Sequence, residues 1–509
     1  MNLTRIARLA FEPRQRELQR QDQDGAAPQR EVLAQLLHKA KGTEYGRMHG
    51  FADTRVYEEF ASRVPVNTYE ELKAAIDRMR HGESDVLWPG DVKWFAKSSG
   101  TTADKSKFIP VSREGLQKAH YQGGFDTLAF YLHNHPESRI FDGKSLILGG
   151  SHAPNYNVKD SMVGDVSAIM LEHINPLAER VRVPKKETAL LPDFEEKRDR
   201  IARETMHENV TNISGVPSWM MSVLTRILEL TGKEHLEEVW PHLEVFFHGG
   251  VAFTPYRKQY ERLITAPAMH YMETYNASEG FFGIQDDPGD PALRLTLDYG
   301  IFYEFIPMDE FGRENPSVVP LWGVETGRNY AMLISTCCGL WRYVIGDTVR
   351  FTSANPYKFV ITGRTRHFIN AFGEELIVDN AEQGLAYACQ ATGAEIAEYT
   401  AAPVFMDADA RCRHQWLIEF TRPPADLAQF TALLDRRLQE LNSDYEAKRF
   451  KDITLQLPEV VPARPGLFHD WLRSRGKLGG QHKVPRLSNS RETIDQLLQM
   501  NRPCPSTKP

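Results

Sequence analysis

The stretch Lys97-Ser98-Ser99-Gly100-Thr101-Thr102-Ala103-Asp104-Lys105-Ser106-Lys107 packs four hydroxyls and a glycine into five consecutive residues, with lysines on both sides. Hydroxyls and free backbone N–H groups donate to phosphate oxygens, a glycine lets the backbone approach, and lysines supply positive charge. The order is not that of the Walker loop, which needs two glycines before its lysine. A solvated turn has the same composition, so residues further along must decide. Glu279, in Tyr275-Asn276-Ala277-Ser278-Glu279-Gly280, puts one carboxylate in a polar turn after a strand. That suits Mg2+, which takes hard oxygen ligands and usually one or two carboxylates; a surface glutamate looks the same. Asp347 closes Leu340-Trp341-Arg342-Tyr343-Val344-Ile345-Gly346-Asp347, where a carboxylate can accept from both hydroxyls of a ribose. Gly-Asp is also an ordinary turn. Gly249 and Gly250 stop the apolar run Leu243 to His248; they admit a flat ring such as adenine, and a bulge explains them equally. Lys483 lies in a Gly/Lys-rich stretch, Gly476 to Arg486, just before Pro485, so it is not mid-helix. A lysine on such an arm can swing into a site on another domain, or it is a solvated surface lysine.

These groups need a scaffold, and composition bounds it. A chain of 509 residues divides into about two to four domains. Its hydrophobic and charged fractions, 41% and 25%, are those of a soluble globular protein. A net charge of −7 supplies no basic field for nucleic acid or an anionic membrane. No apolar run reaches the ~18 residues of a membrane span, and the N-terminus lacks a secretory h-region. Five cysteines without C-x-x-C read as reduced thiols, so a cytoplasmic location is expected.

Periodicity then places elements around the motifs. Residues 12–31 read as a helix or a loosely held arm. Glu31–Lys41 and Tyr69–Met79 have helical apolar spacing, and Ser112 opens another helix by a capping arrangement. Lys144 to Leu148 is a short strand before Gly149-Gly150-Ser151-His152, with His152 a turn cap or a ligand. Glu195–Glu208 and Met220–Leu230 are helices. Tyr121, Phe125, Ser218 and Trp219 are pocket candidates by position, with plain core packing as the other reading of Trp219. Leu293–Phe305 and Asn329–Thr336 alternate like antiparallel strands, forming a small barrel-like part. A charged break at Gly363-Arg364-Thr365-Arg366 marks the domain boundary: 1–362 is a large N-terminal α/β domain, 363–509 a smaller mobile one. In the latter, Asp379–Gln390, Ala425–Leu441 and Leu467–Arg475 are helical, and Ile396–Ala402, Gln415–Phe420 and Ile453–Leu457 are strands.

Four motifs in this order resemble the auxin-responsive acyl-acid amido synthetase family of the acyl-adenylate-forming superfamily, from about residue 30 to 490. Ser98-Ser99-Gly100-Thr101-Thr102 with Lys107 is similar to the family's phosphate loop, and Tyr275 to Glu279 to its Y-x-x-S-E motif. Arg342 to Asp347 is similar to its aromatic-Arg-x-Gly-Asp motif, and Gln481-His482-Lys483-Val484-Pro485-Arg486 to its C-terminal Q-x-K-x-P-R. Asp104 departs from a common glycine and Val344 from a second arginine of plant members. His367 stands where the superfamily hinge, between Gly363-Arg364 and Gly373-Glu374-Glu375, often has an acid. The resemblance implies an ATP-dependent ligase of adenylate-forming architecture. Such an enzyme adenylates a carboxylic acid, then passes the acyl group to an amino acid amine. It further implies ATP on Ser98, Ser99, Gly100, Thr101, Thr102, Lys107, Gly249, Gly250, Tyr275, Ser278 and Asp347, Mg2+ on Glu279, and catalysis by Lys483 and Glu279. Two alternatives stand beside it: transfer to a thiol such as coenzyme A, and a nucleotide-binding protein without turnover.

Overall fold

The computed structural model describes residues 3–501 apart from 23, 100–105, 156–157, 251–252, 366–367, 375, 406–411, 453 and 475–483. Gly100, Thr101, Thr102, His367 and Lys483 therefore lie outside the described residues. Two compact units divide the chain: Met1–Ser98 with Phe108–Thr365, and Arg366–Pro509 with Ser99–Lys107.

The first unit opens with helix α1 (Leu3–Gln21) and helix α2 (Ala26–Ala40). The residues expected to be a helix or a loose arm are helical over most of their length, and α1 is fastened by charge. Arg14 lies between two carboxylates: its Nη2 is 2.7 Å from Asp126 Oδ2, and its Nη1 is 2.6 Å from Asp298 Oδ2. Asp126 is fully buried and also accepts from Tyr299 Oη at 2.7 Å. Strands β1 (Trp94–Ser99) and β2 (Ser106–Val111) share a four-stranded sheet with β4 (His152–Pro154) and β5 (Met162–Gly164). His152 begins β4, with its Nε2 3.5 Å from Glu172.

A twelve-stranded sheet runs through this unit. Its parallel half is β6 (Arg182–Val183), β3 (Lys144–Ile147), β7 (Val210–Gly215), β8 (Val245–His248) and β9 (His270–Ala277). Val245, Phe246 and Ile213 are fully buried, as expected of parallel strands covered on both faces. The helices Phe194–Thr205 and Pro217–Thr231 follow the predicted ranges closely. The antiparallel half is β10 (Gly280–Ile284), β11 (Leu293–Leu295), β12 (Ile301–Pro307), β13 (Val319–Pro320), β14 (Asn329–Thr336), β15 (Tyr343–Ala354) and β16 (Tyr357–Arg364). It extends the parallel half through the β9–β10 pair. The charged break read at Gly363–Arg366 is not a break in the strand, because β16 continues to Arg364, opposite Asp347.

The second unit packs the helices Val378–Thr392, Leu427–Leu441, Leu467–Ser474 and Glu492–Asn501. It carries the short pair β17 (Phe368–Ile369) and β18 (Leu376–Ile377) and the sheet β19 (Glu395–Val404), β20 (Arg413–Arg422) and β21 (Glu459–Ala463). The third strand of that sheet lies at 459–463, not at 453–457. Leu455 makes only an isolated bridge to Cys412, and Pro462 is tolerated because β21 is the sheet's edge. Glu374, in the hinge-like run, is fully buried; its carboxylate lies 2.8 Å from His414 and accepts from Phe372 N at 2.6 Å.

Candidate active site

The parallel strands end together in Gly149-Gly150 after β3, Gly215 on β7, Gly249-Gly250 after β8, and Ser278-Glu279 after β9. Ligands of open α/β sheets sit outside these carboxyl ends. The sequence explains the local geometry. β9 pairs with β10 so that Ala277 faces Gly280, which leaves Ser278 and Glu279 as a two-residue turn. A Cβ on Gly280 would lie 2.5 Å from Ile301 Cδ1, and one on Gly249 would lie 2.3 Å from the Thr274 carbonyl oxygen. Only glycine lets the end of β8 close against β9 beside Tyr275.

Two motifs meet here. Tyr275 Oη donates to Asp347 Oδ2, and Arg364 Nε donates to Asp347 Oδ1 at 2.7 Å. Asp347 stands opposite Arg364 in the β15–β16 ladder, so backbone pairing delivers the ion pair. Asp347 is 8% exposed and Tyr275 7%. Burial first, and then the Asp347 charge, hold the Tyr275 phenol well above its ordinary pKa. The Tyr343 phenol is raised by burial and next by the charge of Glu279, which also acts on Tyr275. Glu279 is half-buried, within electrostatic reach of both phenols. Arg342 plays a different part from its motif neighbour. Its Nε lies 3.0 Å from Glu304 Oε2, its Nη1 donates to Val64 O at 2.7 Å, and it is 5% exposed. It is a buried strut.

A π-helical turn at Leu116–Tyr121 joins the Ser112 cap to the helix Gln122–Asn134. Ser112 does cap, accepting from Gly115 N at 2.9 Å. The π turn faces the Y-x-x-S-E strand: His120 Nδ1 meets Asn276 Oδ1 at 2.9 Å. Burial pushes the His120 pKa down to about 4, so the ring is neutral at pH 7. π turns are frequent at functional sites, yet nothing in the local spacing signalled this one.

The other predicted residues are placed as follows. Tyr121 Oη donates to Met170 O at 2.8 Å. Phe125 packs on Phe11 of α1, ring centroids 4.3 Å apart. Ser218 is in the first turn of the helix Pro217–Thr231, and the neighbouring Trp219 ring lies 5.3 Å from Lys197 Nζ. Lys197, unremarked in the sequence, is 1% exposed and donates to the Gly149 and Gly150 carbonyls at 2.5 and 2.9 Å. Burial pushes its pKa down to about 8, against the pull of Asp165. Ser98 and Ser99 end β1, and Lys107 is on β2. The structure thus brings together Gly249, Tyr275, Glu279 and Asp347. Arg364 was missed as a site residue. The available signal was its position as far after the Asn355–Pro356 turn as Asp347 is before it.

Residues 14–269 match the GH3 family N-terminal domain, 294–364 the GH3 family central domain, and 379–492 the GH3 family C-terminal domain. The chain belongs to the GH3 family. Among relatives of this GH3 chain, indole-3-acetic acid-amido synthetase GH3.3 of Arabidopsis thaliana is 24% identical over 90% of this chain and 88% of its own. Indole-3-acetic acid-amido synthetase GH3.8 of Oryza sativa subsp. indica is 24% identical over the same shares. In fold, the chain is similar to AtGH3.15 acyl acid amido synthetase in complex with 2,4-DB, with TM-score 0.60, 18% identity, and 94% and 93% of the two chains covered. It is also similar to 2-hydroxyisobutyryl-CoA ligase in complex with 2-HIB-AMP and CoA, with TM-score 0.54, 15% identity, and 94% and 91% covered. The Asp347–Arg364 pair falls within the matched central domain of the GH3 chain.

Proposed function

We propose that this GH3 chain is an ATP-dependent acyl-acid amido synthetase. A carboxylic acid attacks the α-phosphate of ATP, giving an acyl-adenylate and pyrophosphate. An amino acid amine then attacks the acyl carbon, giving an amide and AMP. The observation that carries the reading is the meeting of Tyr275, Asp347 and Arg364 beside Glu279 and Gly249, at the carboxyl ends of the parallel strands. It brings the middle two sequence motifs to one rim.

Roles follow from the chemistry of each group. Asp347, oriented by Tyr275 and Arg364, accepts the ribose hydroxyls. Gly249 and Gly250 leave room for the adenine ring. Ser98, Ser99, Gly100, Thr101, Thr102 and Lys107 hold the phosphates, and Tyr275 and Ser278 border the nucleotide. Glu279 offers the single carboxylate that Mg2+ takes when phosphates and water supply its remaining oxygens; there the ion would screen phosphate charge as the acid approaches. Lys483, from the smaller domain read at 363–509, neutralises the acid carboxylate and α-phosphate as they close. Tyr121, Ser218 and Trp219 border the acid, whereas Phe125, packed on Phe11 of α1, takes no part. Positioning and fixed charge supply most of the rate.

The test is ATP–pyrophosphate exchange with a panel of carboxylic acids. Indole-3-acetic acid is included because relatives are named for it. AMP release is then measured with amino acids or coenzyme A. No exchange with any acid would overturn the reading, and AMP release with coenzyme A but no amine would replace the acceptor. Lys483→Ala is expected to slow exchange by about 100-fold or more while ATP affinity stays within about threefold. Near wild-type exchange in that variant sinks the lysine's role.

A further inference from the structure

Helix α2 and the segment after it border a hollow of about 720 Å3 that shares no residue with the motifs above. Its floor is apolar: Leu33, Leu37 and Phe51 are 5%, 4% and 2% exposed. Trp322 forms a wall. Arg30, His38, Lys41 and Arg55 line it together with one carboxylate, Glu58. This is a cationic concavity in a chain with 68 acidic residues against 61 lysines and arginines.

Arg30, Lys41 and Arg55 differ from the carboxylate-paired arginines of the same unit. Arg14, Arg78, Arg226, Arg294 and Arg342 each reach a carboxylate. Among the described residues, no carboxylate is ion-paired with Arg30, His38 or Lys41, and the Arg55 guanidinium donates to the Ala52 carbonyl at 2.7 Å. The dipole of α2 accounts for His38 and Lys41 near its C-terminus. It does not account for Arg30 in the first turns of that helix, or for Arg55, which comes from the loop after Phe51–Asp53. Arg30 Cζ stands 4.7 Å over the Trp322 ring. A guanidinium stacked this way keeps its edge donors for a planar anion. The volume is that of a site for a small organic molecule, and apolar walls with a few converging polar groups are the usual make-up of one.

The geometry points to a second ligand site here, for a small organic anion: a carboxylate or sulfonate on a flat apolar body. The flat body lies on Leu33, Leu37 and Phe51, and the anionic end meets Arg30; Lys41, eleven residues on and about 16 Å away along the helix, adds positive charge at the other end of the hollow. Nothing in the inference depends on the adenylation reading.

Anilinonaphthalene sulfonate, a fluorescent molecule of this class, tests it on the full-length protein. Saturable binding of one dye per chain is expected, weakened by salt and not displaced by excess ATP. Arg30→Glu, at an exposed position, should weaken it about tenfold, and Lys41→Glu, also exposed, should weaken it less, with ATP affinity unchanged in both. Dye binding that survives both charge reversals, or that ATP displaces, overturns the assignment. So does competition by an acidic peptide or by phosphatidylserine vesicles at lower concentrations than by naphthaleneacetate, because the hollow would then serve a macromolecule or a membrane.

Discussion

Arg14 with Asp126 and Tyr299, and Arg364 with Asp347 and Tyr275, are the same three residue types joined by the same bonds. In each, an arginine and a tyrosine hydroxyl converge on one aspartate. Arg449 with Asp435 and Tyr445 repeats the set in the second unit. The settings differ. The side chains of Arg14 and Arg449 are 10% and 7% exposed, whereas that of Arg364 is 26% exposed. Arg14 holds a second carboxylate, Asp298, and ties α1 to the body of its unit. The Asp347 set sits where parallel strands end and glycine lets them close together. Identical chemistry acts as a fastener in one place and, under the proposed function, as a receptor in the other, and access to solvent distinguishes the two.

Breaking the fastener should have the largest effect on stability. Arg14→Met leaves Asp126 buried without its cation and is expected to cost about 3–5 kcal/mol in chemical denaturation. The folded fraction should bind ATP normally. A loss below about 1 kcal/mol would remove the distinction between the two sets. Acid gives the next effect. Burial pushes the pKa of His120 down to about 4 and that of His248 to about 3. Unfolded histidines take a proton near pH 6.5 and these cannot, so stability is full above that value and falls as pH drops towards the folded pKa. By pH 5 the loss is about 2 kcal/mol per residue, and His120→Gln should flatten the profile between pH 6.5 and 4. At the receptor, Asp347→Asn should cost about 1–2 kcal/mol of stability but weaken ATP binding about tenfold by calorimetry. Unchanged ATP affinity would remove the ribose role. Smallest is the paired removal of hydroxyls. Tyr299→Phe and Tyr275→Phe should each cost about 1 kcal/mol of stability, with only the second changing ATP affinity, by a few-fold.

Much of this was legible in order of residues because it is local. Helix ranges at Tyr69, Phe194, Pro217 and Leu427 follow apolar spacing, and Glu279 stands in the turn read for it, whereas Asp347, read as the end of a Gly-Asp turn, lies within strand β15. What escaped is long-range. Arg14 finds partners 112 and 284 residues away, which no window on the sequence contains. Arg364 looked like a charged break because its partner is across a hairpin. Lys197 looked like one charge in a polar helix, although its ammonium is spent on two carbonyls. The edge strand Glu459–Ala463 was hidden by Pro462, which reads as a breaker until the sheet's border is known.

The two-residue connection at Ser278 and Glu279 carries an evolutionary consequence. β10 already carries a register shift between Phe281 and Gly283, beside the buried Phe281 and Phe282 at 4% and 0% exposure, so a residue inserted between Ala277 and Gly280 would put a second irregularity next to the first. Length drift is therefore costly at this corner while it stays tolerable in ordinary loops. Descendants of this chain can trade side chains there more readily than lengthen it, and the carboxylate of Glu279 inherits a fixed address.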